Sequence, residues 1–157
     1  MKPEELMDRA AGRCEDGDYL GALAFYDKIL DSDPGYVPAL VDKAVTVQNL
    51  GRTREAVALY DRALALEPRE VDALVNKGSA LHALERYEDA ISCYEKALAA
   101  DGACAMAVAY KGLALGELGR IPEAAEAFKR ALDMDGGYDL ARKGYETAAA
   151  LMDGGSP

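Results

Sequence analysis

The chain carries a 34-residue period. Ala22, Ala56, Ala90 and Ala124 stand at that spacing, and Tyr26, Tyr60, Tyr94 and Phe128 repeat it four residues later. Leu30, Leu64, Leu98 and Leu132 form a third ladder in phase with these two. A fixed period of this length implies a stack of like supersecondary units, because one unit cannot bury its apolar face alone and needs a neighbour to cover it. Such a stack presents a long surface, and the surface is the first place to look for function.

The repeat from Val37 to Glu70 is the most regular. Pro38 falls at the start of a helix, where proline is tolerated because its missing N–H would have had no partner. Ala39, Leu40, Ala44, Val47 and Leu50 continue at helical spacing. Gly51 supplies a left-handed stop, and Thr53 reads as the cap of a second helix. The buried stripe of that helix is Ala56, Val57, Tyr60, Ala63 and Leu64, and Pro68 closes the unit. Each repeat is thus two helices joined by a tight turn. Ala10, Ala44, Gly78 and Gly112 lie midway along successive first helices. Small residues there and on the alanine ladder let two antiparallel helices approach closely, and the aromatic ladder fills the wedge between one repeat and the next. Pro34 and Pro68 fix inter-repeat turns, where Gly102 and Gly136 stand later in the chain.

Leu40, Ala44, Val47, Gly51, Ala56, Tyr60, Ala63 and Pro68 make this unit resemble a tetratricopeptide repeat, and the likeness extends from Pro3 to Tyr138. The resemblance implies an all-α, right-handed superhelical solenoid of antiparallel helix pairs, about nine helices in all. It divides the chain into repeats at 3–36, 37–70, 71–104 and 105–138, with a C-terminal capping helix at 139–152 and a disordered tail at 153–157. The Lys-Gly pairs look like those of archaeal members. Arg13 stands where the family has an apolar residue and Ile29 where it has a small one, both in the first repeat. Arg9, Lys43, Lys77 and Lys111 occupy a site that is commonly leucine. Their long stems are expected to lie over the helix interface with the charges in water, where Asp and Glu of adjacent helices can pair with them. Beyond Gly136 the period reads as broken: Lys143-Gly144 matches Lys111-Gly112 at 32 residues, which suggests a truncated first helix after a shortened turn.

Composition narrows the function. The chain has 28 acidic and 18 basic residues, a net charge of −10. Nucleic acids and anionic membranes need clustered Lys and Arg, so neither is an expected partner. No apolar run approaches a transmembrane span, and Met1-Lys2-Pro3-Glu4-Glu5 lacks a signal peptide's apolar stretch. A cytoplasmic location is expected. Cys14, Cys93 and Cys104 have no metal-ligand spacing. His82 is the single histidine, and no nucleophile elbow, P-loop or zinc motif occurs. The expectation is a non-enzymatic protein with no catalytic residues, cofactor or metal.

In the tetratricopeptide family the first helices line a concave face where partners bind. Two rows of this chain fall there by that analogy. One is apolar: Met7, Val41, Val75 and Ala109, with Ala11, Val45, Ser79 and Leu113 one turn later. The other drifts from repeat to repeat: Asp8, Asp42, Asn76 and Tyr110. Residues four apart share a helix face, so the rows are expected to form one stripe. The expected contacts are Asp8, Val41, Asp42, Val45, Val75, Asn76, Ser79, Tyr110 and Leu113, although the valines equally suit packing against the next helix. An apolar groove with an acidic half suits a peptide or helical segment carrying apolar anchors and Lys or Arg. Family members that grip chaperone C-termini use Lys, Arg and Asn. The matching sites here hold Met7, Ala11, Asp42, Asp72 and Asn76, and only the asparagine fits. The competing expectations are a self-assembling module, a homo-oligomer through the C-terminal helix, and a subunit of a larger complex.

Overall fold

The computed structural model describes residues 1–154. Among the described residues there are nine α-helices and no strand. They are α1 (Pro3–Glu15), α2 (Tyr19–Ser32), α3 (Val37–Asn49), α4 (Thr53–Leu66), α5 (Val71–Ala83), α6 (Tyr87–Ala100), α7 (Ala105–Glu117), α8 (Ile121–Met134) and α9 (Asp139–Gly154). The chain divides into two compact units, Met1–Ala80 and the residues from Leu81 onward, and each is treated by itself.

In the first unit α1 packs on α2, α2 on α3, and α3 on α4. Its core follows the ladders. Ala10, Ala22, Ala44, Ala56, Leu40 and Tyr60 are wholly buried, Tyr26 nearly so, and α5 adds Ala73 and Ala80. In the second unit α6 packs on α7, α7 on α8, and α9 covers both α8 and α7. Ala124, Phe128, Ala131, Val108 and Ala141 form its centre. Small residues are what let the rings in. A Cβ added at Gly112 would come within 2.8 Å of the Phe128 ring, and one at Gly144 within 2.5 Å, so both glycines are required by close approach.

The lysine ladder does what its spacing suggests. Lys43 Nζ reaches Asp27 at 2.7 Å, Lys77 reaches Asp61 at 2.6 Å, and Lys111 reaches Glu95 at 3.3 Å. Each lysine stem is mostly covered while its carboxylate partner stays open to water. Exposed pairs of this kind contribute well under about 1 kcal/mol each.

Three local expectations are corrected. Thr53 is the first residue of α4 and not its cap; Arg52 holds the cap position without a side-chain hydrogen bond. Helix ends shift by a residue or so because only one or two bonds decide them. For the same reason α9 runs through Asp153 and Gly154, two residues into the expected tail; residues 155–157 lie outside the described part. The third correction concerns register. The turn before α9 is not shortened: Tyr138 N–H donates to the Asp135 carbonyl as Tyr36 does to Asp33, Glu70 to Glu67 and Cys104 to Asp101. Helices α3, α5, α7 and α9 therefore start at 37, 71, 105 and 139, and the period is unbroken. Gly144 corresponds to Tyr110, not to Gly112. In this register Arg142 and Glu146 fall where Val108 and Gly112 are buried, and both are exposed. A following helix would have to bury those charges, so the outer face of α9 is suited to end a stack.

The turn inside each repeat has one form. A residue in left-handed conformation follows the first helix: Gly17 (φ 77°), Gly51 (φ 81°), Glu85 (φ 60°) and Gly119 (φ 76°). Its N–H donates three residues back, and the next N–H donates five back, as from Arg52 to Val47 and Arg120 to Leu115. Glu85 is the exception to glycine, and a Cβ in that conformation costs about 1 kcal/mol or more. Replacing Glu85 with Gly is expected to stabilise the protein by about 1 kcal/mol, roughly 2–4 °C in Tm. Thermal unfolding followed by circular dichroism measures it, and a lowered Tm would contradict the strain.

Candidate functional site

The drifting row owes its position to the aromatic ladder. From Asp42 on, each member lies sixteen residues past a ring, at 26 and 42, 60 and 76, and 94 and 110, and Gly144 stands sixteen past Phe128. The ring is fixed by packing, so the residue on the facing first helix is the variable partner. In the first unit the Asp42 charge is felt by the buried hydroxyls of Tyr26 and Tyr60, and it helps burial hold both phenols well above their ordinary range. Tyr60 Oη donates to Gln48 Oε1 at 3.1 Å. Tyr26 Oη lies 4.0 Å from Cys14 Sγ, which is 3.6 Å from Thr46 Oγ1. Thr46 Oγ1 donates to the Asp42 carbonyl at 2.8 Å.

Asp42 itself is perturbed. Its side chain reaches solvent, yet neighbouring protein removes enough water that desolvation, followed by the charge of Asp72, raises the carboxyl above its usual value. Among the described residues, no Lys or Arg forms an ion pair with either carboxylate. Asp8, on α1, is likewise exposed.

The apolar row is placed differently from the groove expectation. Val41 is 7% and Val75 5% exposed, and Val41 belongs to the core of the first unit. Met7 and Val45 are half-buried against that core. Helical spacing put these valines on one face, but that face is buried at both positions. Asn76 and Ser79 are half-buried on α5.

In the second unit Tyr110 packs edge-on against Tyr94, with centroids 5.9 Å apart and planes at 65°. Leu113, 37% exposed, lines an apolar cleft of about 650 Å³ between α7 and α9, floored by Ile121, Ala124 and Phe128 of α8. Leu140, Gly144, Ala148 and Leu151 form the α9 wall. The sequence reading missed this cleft. Its signal is a ladder passed over, Cys14, Gln48, His82 and Gly116, in which a side chain gives way to nothing in the fourth repeat.

These helix pairs, turns and ladders define an all-α helical repeat protein. Two overlapping stretches, residues 41–102 and 83–139, match the tetratricopeptide repeat family, and the chain belongs to that family. The fold is similar to a solved MamA protein, with 25% identity over 93% of this chain and 80% of that one and a TM-score of 0.83. It is similar to PilF of Pseudomonas aeruginosa, with 21% identity, coverage of 96% and 69%, and a TM-score of 0.89. It also resembles the first tetratricopeptide domain of Spaghetti (RPAP3), solved bound to the HSP90 peptide SRMEEVD, with 20% identity, coverage of 74% and 93%, and a TM-score of 0.72. A search of curated proteins returns no match. No helix among the described residues is long and apolar enough to cross a membrane.

The raised carboxyl of Asp42 has a stability consequence. The folded state holds this proton more tightly than the unfolded chain, so folding is penalised at pH values above the raised pKa. The penalty fades as pH falls to the ordinary carboxylate range. Asp42→Asn, the residue at the matching position 76, is expected to raise stability at neutral pH by a few tenths of a kcal/mol, on the order of 1 °C in Tm, because the site is solvent-screened. The gain should vanish near pH 3–4. Chemical denaturation at both pH values tests the sign, and equal stabilisation at both would remove the electrostatic cause.

Proposed function

We propose that this protein is a non-enzymatic interaction scaffold, whose first-helix faces hold a peptide or helical segment of a partner that offers apolar anchors and Lys or Arg. The observation that carries this is the Asp42–Asp72 pair. The fold keeps a partly desolvated carboxylate within the field of a second one, and among the described residues neither is in an ion pair, where asparagine serves in the next repeat. Groups whose titration the fold perturbs gather at functional sites. A basic side chain from a partner would neutralise both acids, and the net charge of −10 would speed its approach.

The same reading makes four repeats, 3–36, 37–70, 71–104 and 105–138, with the helix from 139 as their cap, and assigns the protein to the cytoplasm without nucleic-acid or membrane partners. Self-assembly through α9 has one observation in favour, the exposure of Leu151 (57%) and Met152 (43%), and one against, the charged outer face of Arg142 and Glu146.

The Spaghetti domain is solved bound to the HSP90 peptide SRMEEVD, which is net acidic. This chain offers Asp42 and Asp72 where a carboxylate grip needs cations, so isothermal titration with SRMEEVD is expected to give no binding at micromolar concentration. Affinity capture from the source cell is expected to retain a basic partner that high salt releases and that the Asp42→Asn, Asp72→Asn double variant loses without losing stability. Val41 and Val75 are unsuited to this control, because glutamate there would disrupt the core. Micromolar binding of the acidic tail, or capture indifferent to the double variant, would overturn the reading.

A further inference from the structure

The cleft in the second unit opens beside one ring, Phe128, where a hydroxyl and its partner are lost together. In the first two repeats the ring carries a hydroxyl facing a polar side chain, Cys14 beside Tyr26 and Gln48 accepting from Tyr60. In the fourth repeat the ring is Phe128, its counterpart is Gly116, and the next member of the drifting row is Gly144. The hydroxyl and its partner are absent together, and at Gly144 the ring itself fills the space. Gly112 and Gly144 are explained by contact with the ring, but Gly116 is not: a Cβ there would meet nothing within 4 Å. A helical glycine costs roughly 0.5–1 kcal/mol relative to alanine. Packing does not require Gly116, and the space in front of it stays open.

We propose that this cleft receives the apolar anchor of the partner segment: two bulky apolar side chains one helical turn apart, followed by a Lys or Arg that meets Glu117. The inference rests on the first-helix face being the docking surface. Two observations select the occupant. The volume, about 650 Å³, lies within the range of ligand pockets, but the walls remain wet, Leu113 at 37% and Leu151 at 57% exposure. A small molecule would be left half in water. Side chains carried on a segment that itself roofs the opening would not. The rim charges are complementary to a directed segment. Glu117 closes α7 and Lys143 stands in the second turn of α9, and among the described residues neither is in an ion pair. The basic end of the segment belongs at Glu117 and an acidic or carbonyl end at Lys143.

The test is a random-peptide phage library panned against the full chain, with enriched peptides titrated against three proteins: the native chain, Gly116→Leu, and Asp42→Asn with Asp72→Asn. A Cβ at position 116 would meet nothing within 4 Å, so Gly116→Leu puts its side chain into the cleft and removes a helical glycine, and its Tm should equal or exceed that of the native chain. Enriched peptides are expected to carry an apolar pair with i, i+3 or i+4 spacing and a basic residue, to shift the Leu113 and Leu151 methyl resonances, and to bind Gly116→Leu roughly tenfold more weakly or worse. Peptides that bind Gly116→Leu at native strength but lose affinity to the double aspartate variant overturn the anchor and leave the docking face standing. No enrichment at all overturns both. Two results would reassign the cleft and overturn the proposal: dodecanoate shifting the same methyl resonances while no peptide is enriched, or a concentration-dependent doubling of mass that Gly116→Leu abolishes.

Discussion

The contact between a second-helix ring and the small residues facing it is what the rest of this structure depends on. Tyr26, Tyr60, Tyr94 and Phe128 are almost wholly buried, and burial of a ring is among the largest single contributions a core residue makes. It is realised only if the first helices on either side come close. Gly112 and Gly144 show how close, since neither tolerates even a methyl group against Phe128. Once that distance is set, the lysine stems have an interface to lie across, and their carboxylate partners on the preceding helix come within reach.

The two turn types keep these contacts in phase. The turn within a repeat reverses the chain through one left-handed residue and two fixed hydrogen bonds. The turn between repeats is held by its own backbone bond, and in three of four cases by an aspartate whose Oδ1 accepts from the N–H two residues on, Asp33 to Gly35, Asp101 to Ala103 and Asp135 to Gly137. Glu67 and Pro68 stand in the remaining case, where the proline ring fixes the backbone instead. Because hydrogen bonding and not residue identity sets the turn length, Pro34 and Gly136 can exchange without altering the period.

This explains what the sequence revealed and what it concealed. The alanine, aromatic and lysine ladders were legible because each position meets the same environment in every repeat, and burial punishes departure. The register of α9 was misread because the pair Lys143-Gly144 copies Lys111-Gly112 in identity, whereas register is set by the four-residue turn before it. Val41 and Val75 share a helix face by spacing, but spacing does not say whether that face meets solvent, and both are buried. The cleft was concealed for a different reason. It consists of missing atoms, and a glycine that leaves a void has the same letter as one that permits a contact.

The variable members of the ladders follow from the same constraint. A ring locked in the core presents a fixed edge to the next first helix, and the residue met there ranges from the exposed Asp42 through Tyr110, which packs on its ring, to Gly144, which Phe128 requires. Aspartate, asparagine, tyrosine and glycine all occur at that place without disturbing the period. At Asp42 the place holds a partly desolvated carboxylate, whereas the open space beside Phe128 comes from Gly116, where a Cβ would meet nothing within 4 Å. Both choices raise the free energy of the isolated protein, one by desolvated charge and the other by unfilled apolar space. Each penalty is relieved by what the position lacks, a cation at the first and apolar side chains at the second. A chain with a uniform repeat would carry neither cost, so the departures from periodicity are where a partner's binding energy can be gained.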